Sequence, residues 1–147
     1  MLTPDLLDRF TTHLKEALQK ALQFSVRNGR IFVEPGDLLV GLVGEKGCIG
    51  AELLQKAGVT PQKAELVFRG ILPPLSHGGT VAPDLSPAVK RIIEKCVLTA
   101  HLHEHKYIGT EHLLSSLLDA QCDDVNQFLE SCGAGVGPLR EHVLQVL

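Results

Sequence analysis

Two helix starts in the C-terminal half of this 147-residue chain carry the residue types best suited to binding chemistry. Ser86-Pro87, with Lys90 one turn further on, opens a helix whose free N–H groups and positive dipole end favour an anion. Thr110 and Glu111 open a neighbouring helix, and a carboxylate there can pair with a guanidinium fork. The four residues are expected to share one pocket, positive on one side and negative on the other. Read as plain structure, they are two N-caps, an acid complementing a helix dipole and a solvated lysine.

A second constellation is His101, His103 and His105 around Glu104. His101 and His105 stand four apart on one helical face, a spacing that suits a metal ion, and a small metal-dependent enzyme built on them is the rival reading. No third ligand stands at a recognisable spacing, and H-L-H-E-H is not H-E-x-x-H. Cationic histidines also suit a helix C-terminus. The glycine-rich stretch Gly41–Gly50 holds no G-x-x-x-x-G-K-[ST], and no G-x-S-x-G occurs. The expectation is a non-catalytic chain with no cofactor, no resident metal and no capacity to hydrolyse ATP.

The elements that position these residues form a repeat. An offset of 75 sets Leu14 on Val89, Lys15 on Lys90, Leu18 on Ile93, Phe32 on Tyr107, Leu38, Leu39 and Leu42 on Leu113, Leu114 and Leu117, and Gly58 on Gly133. A two-residue insertion then carries Val59-Thr60-Pro61 onto Val136-Gly137-Pro138. Each copy reads as four helices. In the first, Thr11 caps a helix with apolar positions at Leu14, Ala17, Leu18, Ala21 and Leu22, a 3.6-residue period. Pro35 starts the next helix, Gly58 closes the third, and Thr60-Pro61 opens the fourth. The second copy repeats this from Ser86-Pro87, Thr110, the Val125/Phe128/Leu129 helix and Gly137-Pro138. Three prolines and a Gly-Gly pair make 72–84 a linker, between a first repeat at 10–71 and a second at 85–147. No segment alternates as a half-buried strand does. The fold class is all-α, two tandem four-helix repeats packed about a pseudo-two-fold axis.

Composition narrows the function. A net charge of −3 and a pI near 6.1 argue against a nucleic-acid partner, and 4% aromatics without tryptophan argue against a base-stacking platform. No apolar run approaches the ~18 residues of a membrane span, and MLTPDLLDRF is no secretory signal, so a cytoplasmic location is expected. Cys48, Cys96, Cys122 and Cys132 form no metal spacing and read as buried free thiols.

Y-I-G-T-E-H-L-L at 107–114, in a doubled four-helix unit, with F-V-E-P-G-D-L-L-V-G-L-V and G-x-I-G-A-E-L-L-Q-K-A-G-V in the first copy, resembles the repeated N-terminal domain of the Clp family of AAA+ unfoldases, of the ClpC type. The resemblance runs from about Phe10 to Leu147. It implies a docking domain that receives protein substrates and adaptor proteins and passes them to the Clp ATPase ring and the ClpP peptidase. It also implies phosphoarginine binding, with the motif glutamate, Glu111, on the guanidinium and the start of the repeat's first helix, at Ser86 and Lys90, on the phosphate. The first copy departs from the motif: Pro35-Gly36-Asp37 replaces Thr-Glu-His. Thr11 and Lys15 match the phosphate side, and Glu34 and Asp37 stand near the lost glutamate, which makes a degenerate first site. The end of the chain at Leu147 favours a domain excerpt, monomeric in isolation, over a stand-alone regulator of a Clp unfoldase.

Overall fold

The computed structural model describes residues 4–69 and 83–147; the linker expected at 72–84 lies, up to residue 82, outside the described residues. A short helix, α1 (Pro4–Arg9), precedes the first repeat, which comprises α2 (Thr12–Arg27), α3 (Pro35–Gly44), α4 (Ile49–Lys56) and α5 (Pro61–Phe68). The second repeat comprises α6 (Pro87–Leu102), α7 (Thr110–Asp119), α8 (Asp123–Ser131) and α9 (Val136–Val146). Thr11 and Ser86 cap their helices as expected: the Thr11 hydroxyl accepts from Leu14 N–H at 3.1 Å and the Ser86 hydroxyl from Val89 N–H at 3.2 Å.

One apolar core serves both repeats. Leu14, Leu38, Leu39, Leu42 and Leu54 from the first join Ile92, Leu113, Leu114, Leu117 and Leu129 from the second, all fully buried. A four-helix unit of about 60 residues buries too little apolar surface to be comfortable alone. Sharing the core removes that problem, and α3 and α7, buried nearly all round, form its centre.

The repeats exchange backbone at their edges. Two residues before α3, β1 (Phe32–Val33), run parallel to two residues before α6, β2 (Asp84–Leu85). The matching bridge joins Phe10, before α2, to Ile108, before α7. The offset of 75 turns one contact into the other, which is the pseudo-two-fold axis in backbone form. Strands two residues long carry no alternation, so sequence periodicity could not reveal them.

Three local expectations are corrected. Gly109, not Thr110, is the N-cap of α7. The fourth helix of the second repeat opens at Val136 behind Gly135, whose φ of +65° makes the turn, and Pro138 is its third residue rather than its first. The offset of 75 therefore holds through this helix start, without the insertion. Of the four free thiols, Cys48 and Cys96 are buried, whereas Cys122 and Cys132, at the two ends of α8, are half-buried.

Candidate functional site

The backbone exchange decides which helix starts face which. Thr11 N–H donates to Ile108 O at 2.9 Å, and Ile108 N–H donates to Arg9 O at 2.8 Å. The start of α2 therefore lies beside the start of α7. At the other edge, Ser86 N–H donates to Val33 O at 3.1 Å, and the start of α6 lies beside the start of α3. Each site is composite, half from each repeat.

The pocket expected from one repeat alone is corrected accordingly. Ser86 and Lys90 stand with Glu34 and Asp37, whereas Thr11 and Lys15 stand with Glu111. The Glu111 charge is felt by the Cys96 thiol, which burial chiefly pushes up. Ten residues of helix, about 15 Å, separate Cys96 from Ser86. Thr110 also takes another role. It is buried, and its hydroxyl accepts the Gly50 N–H at 3.1 Å, satisfying a free donor in the first turn of α4 across the repeat boundary.

In the α2/α7 site, Glu111 is only 3% exposed. Tyr107 Oη donates to its carboxylate at 3.4 Å, and burial followed by the Glu111 charge raises the Tyr107 pKa. The carboxylate lies against the Gly109 α-carbon, where any side chain would overlap it. On the other wall Thr11 caps α2 and Lys15 is exposed. Arg9 spans the two repeats, donating from Nε to Lys106 O at 3.2 Å and from Nη2 to His105 O at 3.3 Å. Arg9 lies just outside the repeat that the sequence places at 10–71, and the offset of 75 sets it on Asp84.

The α3/α6 site has the opposite character. A Cβ at Gly36, the counterpart of Glu111, would fall inside the Phe68 ring, which packs edge-on against Phe128 at 5.2 Å. The place of the motif side chain is filled from α5. Asp37 is fully buried and accepts the Glu34 N–H at 2.8 Å. It does not reach outward, and burial pushes its pKa up to about 6. Lys90 Nζ stands 3.9 Å from Asp84, an exposed pair of little energetic weight. Arg30 donates to Phe68 O and stands 3.6 Å from Asp37.

The offset exposes a matched device at the two α3/α7 starts. Asp37 corresponds to His112, and Arg30 to His105. His112 Nδ1 accepts the Gly109 N–H at 2.9 Å, as Asp37 accepts that of Glu34. Its Nδ1 thus carries no proton, and its Nε2–H donates to His105 Nδ1 at 2.8 Å. Burial, then the charges of His105 and His103, lowers the His112 pKa to about 4. His105 is thereby engaged in structure, stacked on Tyr107 at 5.3 Å. Among the described residues, His101, Glu104 and His105 do not converge into a three-donor metal group.

The profile of the family described as the Clp repeat (R) N-terminal domain matches residues 9–145. Among curated proteins, the chain is 31% identical over 147 residues to chaperone protein ClpC2, chloroplastic, of Oryza sativa subsp. japonica, covering 99% of this chain and 16% of that protein. It is 30% identical over 142 residues to chaperone protein ClpC1, chloroplastic, of Arabidopsis thaliana, covering 97% of this chain and 15% of the relative. The chain thus spans about one-sixth of these relatives. Among solved structures, the N-terminal domain of the chaperone ClpD from Arabidopsis thaliana superposes with a TM-score of 0.79 at 22% identity, covering 98% of this chain and 97% of that one. The ClpV N-domain, solved in complex with VipB peptide, matches at TM-score 0.69 and 15% identity, covering 97% and 89%. No helix among the described residues is long and apolar enough to cross a membrane.

Proposed function

Because this chain belongs to the Clp repeat (R) N-terminal domain family, we propose that it is the docking module of a Clp ATPase, taking protein substrates and adaptors toward the ATPase ring and its ClpP peptidase. Its work is recognition without bond-making. The observation that carries this reading is the α2/α7 site. A buried carboxylate at the start of α7 stands beside the capped start of α2, whose first turn carries Lys15, with Arg9 bonded to the backbone of residues 105 and 106 at the same edge.

A phosphorylated arginine carries the complementary pattern. Its guanidinium part can pair with Glu111 once Tyr107, 44% exposed, swings aside, and its phosphate can take the first-turn N–H groups of α2. Lys15 adds charge to that end. The α3/α6 site offers neither half: Phe68 occupies the space of the missing carboxylate, and Asp84 and Glu34 stand where an anion would come. One phosphoarginine per chain follows. Adaptors have a separate surface in a groove of about 660 Å³ between α2, α3 and α5, with Leu22, Val26, Val40 and Pro61 as its apolar part. The ClpV complex with VipB peptide supports peptide capture by a domain of this fold.

Calorimetric titration with free phosphoarginine tests the site. The native chain should bind one equivalent. Glu111→Gln should abolish binding, Lys15→Ala should weaken it, and Lys90→Ala should leave it unchanged. Absence of binding to the native chain would sink the tag-reading role and leave adaptor docking. Loss in Lys90→Ala with retention in Lys15→Ala would overturn the crosswise assignment.

A further inference from the structure

A second convergence of chemistry-bearing side chains lies on the other flank of α2. His13 and Glu16 stand three apart on one face of that helix, and Glu45, the residue that ends α3, rises beneath them. Glu45 is only 3% exposed. His13 Nδ1 lies 2.7 Å from Glu45 Oε2, and Lys20 Nζ is held on Glu45 Oε1. One donor atom from each of His13, Glu16 and Glu45 lies within 4.8 Å of the others. We propose that these three residues form a binding site for a zinc-class divalent transition ion, with water completing a tetrahedron.

The donor set argues for this class of ion. One imidazole nitrogen and two carboxylate oxygens suit zinc and its neighbours, whereas magnesium and calcium take oxygen ligands. Bonds of roughly 2.0–2.2 Å place tetrahedral donors about 3.3–3.6 Å apart. The His13–Glu45 edge already spans less, and Glu16, an exposed side chain, closes the third corner by rotamer motion. Glu16 and Glu45 bring two carboxylates and His13 one imidazole to the same corner of α2, with all three donor atoms within 4.8 Å of one another. Lys20 stays on the outer oxygen of Glu45 and fixes its orientation, as outer-sphere partners do. The turn after Glu45, at Gly47 with φ of +87°, brings the chain back beside the His13 ring.

The second repeat supplies an internal control. The offset of 75 sets Ala88, Arg91 and Ala120 where the first repeat has His13, Glu16 and Glu45, so the counterpart position holds no ligand set.

The test uses the whole chain, stripped with a chelator and titrated with Zn²⁺ alone, alongside Co²⁺ substitution read by visible absorption. One equivalent should bind, with the intense absorption of tetrahedral cobalt. Glu16→Gln, at an exposed position that leaves folding intact, should weaken binding at least ~10-fold, the lower end of what outer-sphere changes alone cost. His13→Ala should do the same, with far-UV circular dichroism confirming the fold of each variant. The double variant His101→Ala/His103→Ala should bind as the native chain does. No uptake at millimolar ion, uptake insensitive to both His13→Ala and Glu16→Gln, or uptake lost in the His101/His103 double variant would each overturn the site.

Discussion

Acid titration should set two buried capping groups against each other. His112 has a pKa near 4 in the folded chain against 6.5 when unfolded, because burial disfavours its charged form. Between those values the unfolded chain binds a proton that the folded chain refuses. Stability from this group is complete above pH 6.5 and is lost as pH falls toward 4, by on the order of 3 kcal/mol. Asp37 has the opposite sign. Its pKa rises from 3.8 to about 6, again through burial, so the folded chain keeps a proton that the unfolded chain has released. Stability from Asp37 therefore falls as pH rises from 3.8 through 6, again by on the order of 3 kcal/mol. The two slopes nearly cancel in the native chain, which should show a shallow profile between pH 4 and 6. Asp37→Asn keeps an acceptor for the Glu34 N–H and removes one slope; its stability should climb steeply from pH 4 to 6.5. His112→Asn should do the reverse and lose stability over pH 4 to 6. Urea unfolding followed by circular dichroism at half-unit pH steps measures this, and comparison between variants removes the titration of every other group. Parallel profiles for the two variants, or an Asp37→Asn profile as shallow as the native one, would refute the reasoning.

Two further outcomes follow from packing. Restoring the motif glutamate by Gly36→Glu should not restore a second phosphoarginine site, because the side chain meets the Phe68 ring; calorimetry should still count one equivalent, and the melting temperature should fall with the ~1–3 kcal/mol of overpacking. Thr110→Val keeps the shape but orphans the buried Gly50 N–H, which should cost about 1–3 kcal/mol in urea unfolding.

The helices were legible because their signals are local. Thr11, Ser86, Thr60 and Gly58 act within one turn of their own positions, and the leucines of α3 and α7 repeat at a spacing that survives without tertiary information. What escaped is long-range. Nothing in the periodicity says whether the start of α6 faces its own α7 or the α3 of the other repeat. That choice rests on hydrogen bonds between two-residue segments, Phe32–Val33 with Asp84–Leu85 and Phe10 with Ile108. Thr110 misled for the same reason: its hydroxyl serves a helix 60 residues away. His13, Glu16 and Glu45 were likewise unreadable as a group, since Glu45 reaches α2 only through the α2/α3 packing.

Crosswise pairing changes what a substitution in one repeat means. If each repeat carried its own pocket, replacing the motif glutamate by Gly36 would silence the first repeat and leave the second whole. In the exchanged arrangement Gly36 lies at the edge where the α6 start of the second repeat stands, and the site proposed at Glu111 would draw Thr11 and Lys15 from the first repeat and Arg9 from α1. On the proposed reading both repeats contribute to that site. The same logic governs the capping pairs. His105–His112 and Arg30–Asp37 do one mechanical task, holding the approach to α7 or α3 against the third residue of the helix, with different chemistry. At the α7 start the buried His112 caps the backbone through its imidazole, and Glu111 stands beside Tyr107. At the α3 start Arg30 stands 3.6 Å from the buried Asp37 and donates to Phe68 O. A duplicated scaffold has thus kept its folding devices in both copies while its two edges differ in charge: Glu111 stands at the α7 start, and Gly36 lies under Phe68 at the α3 start.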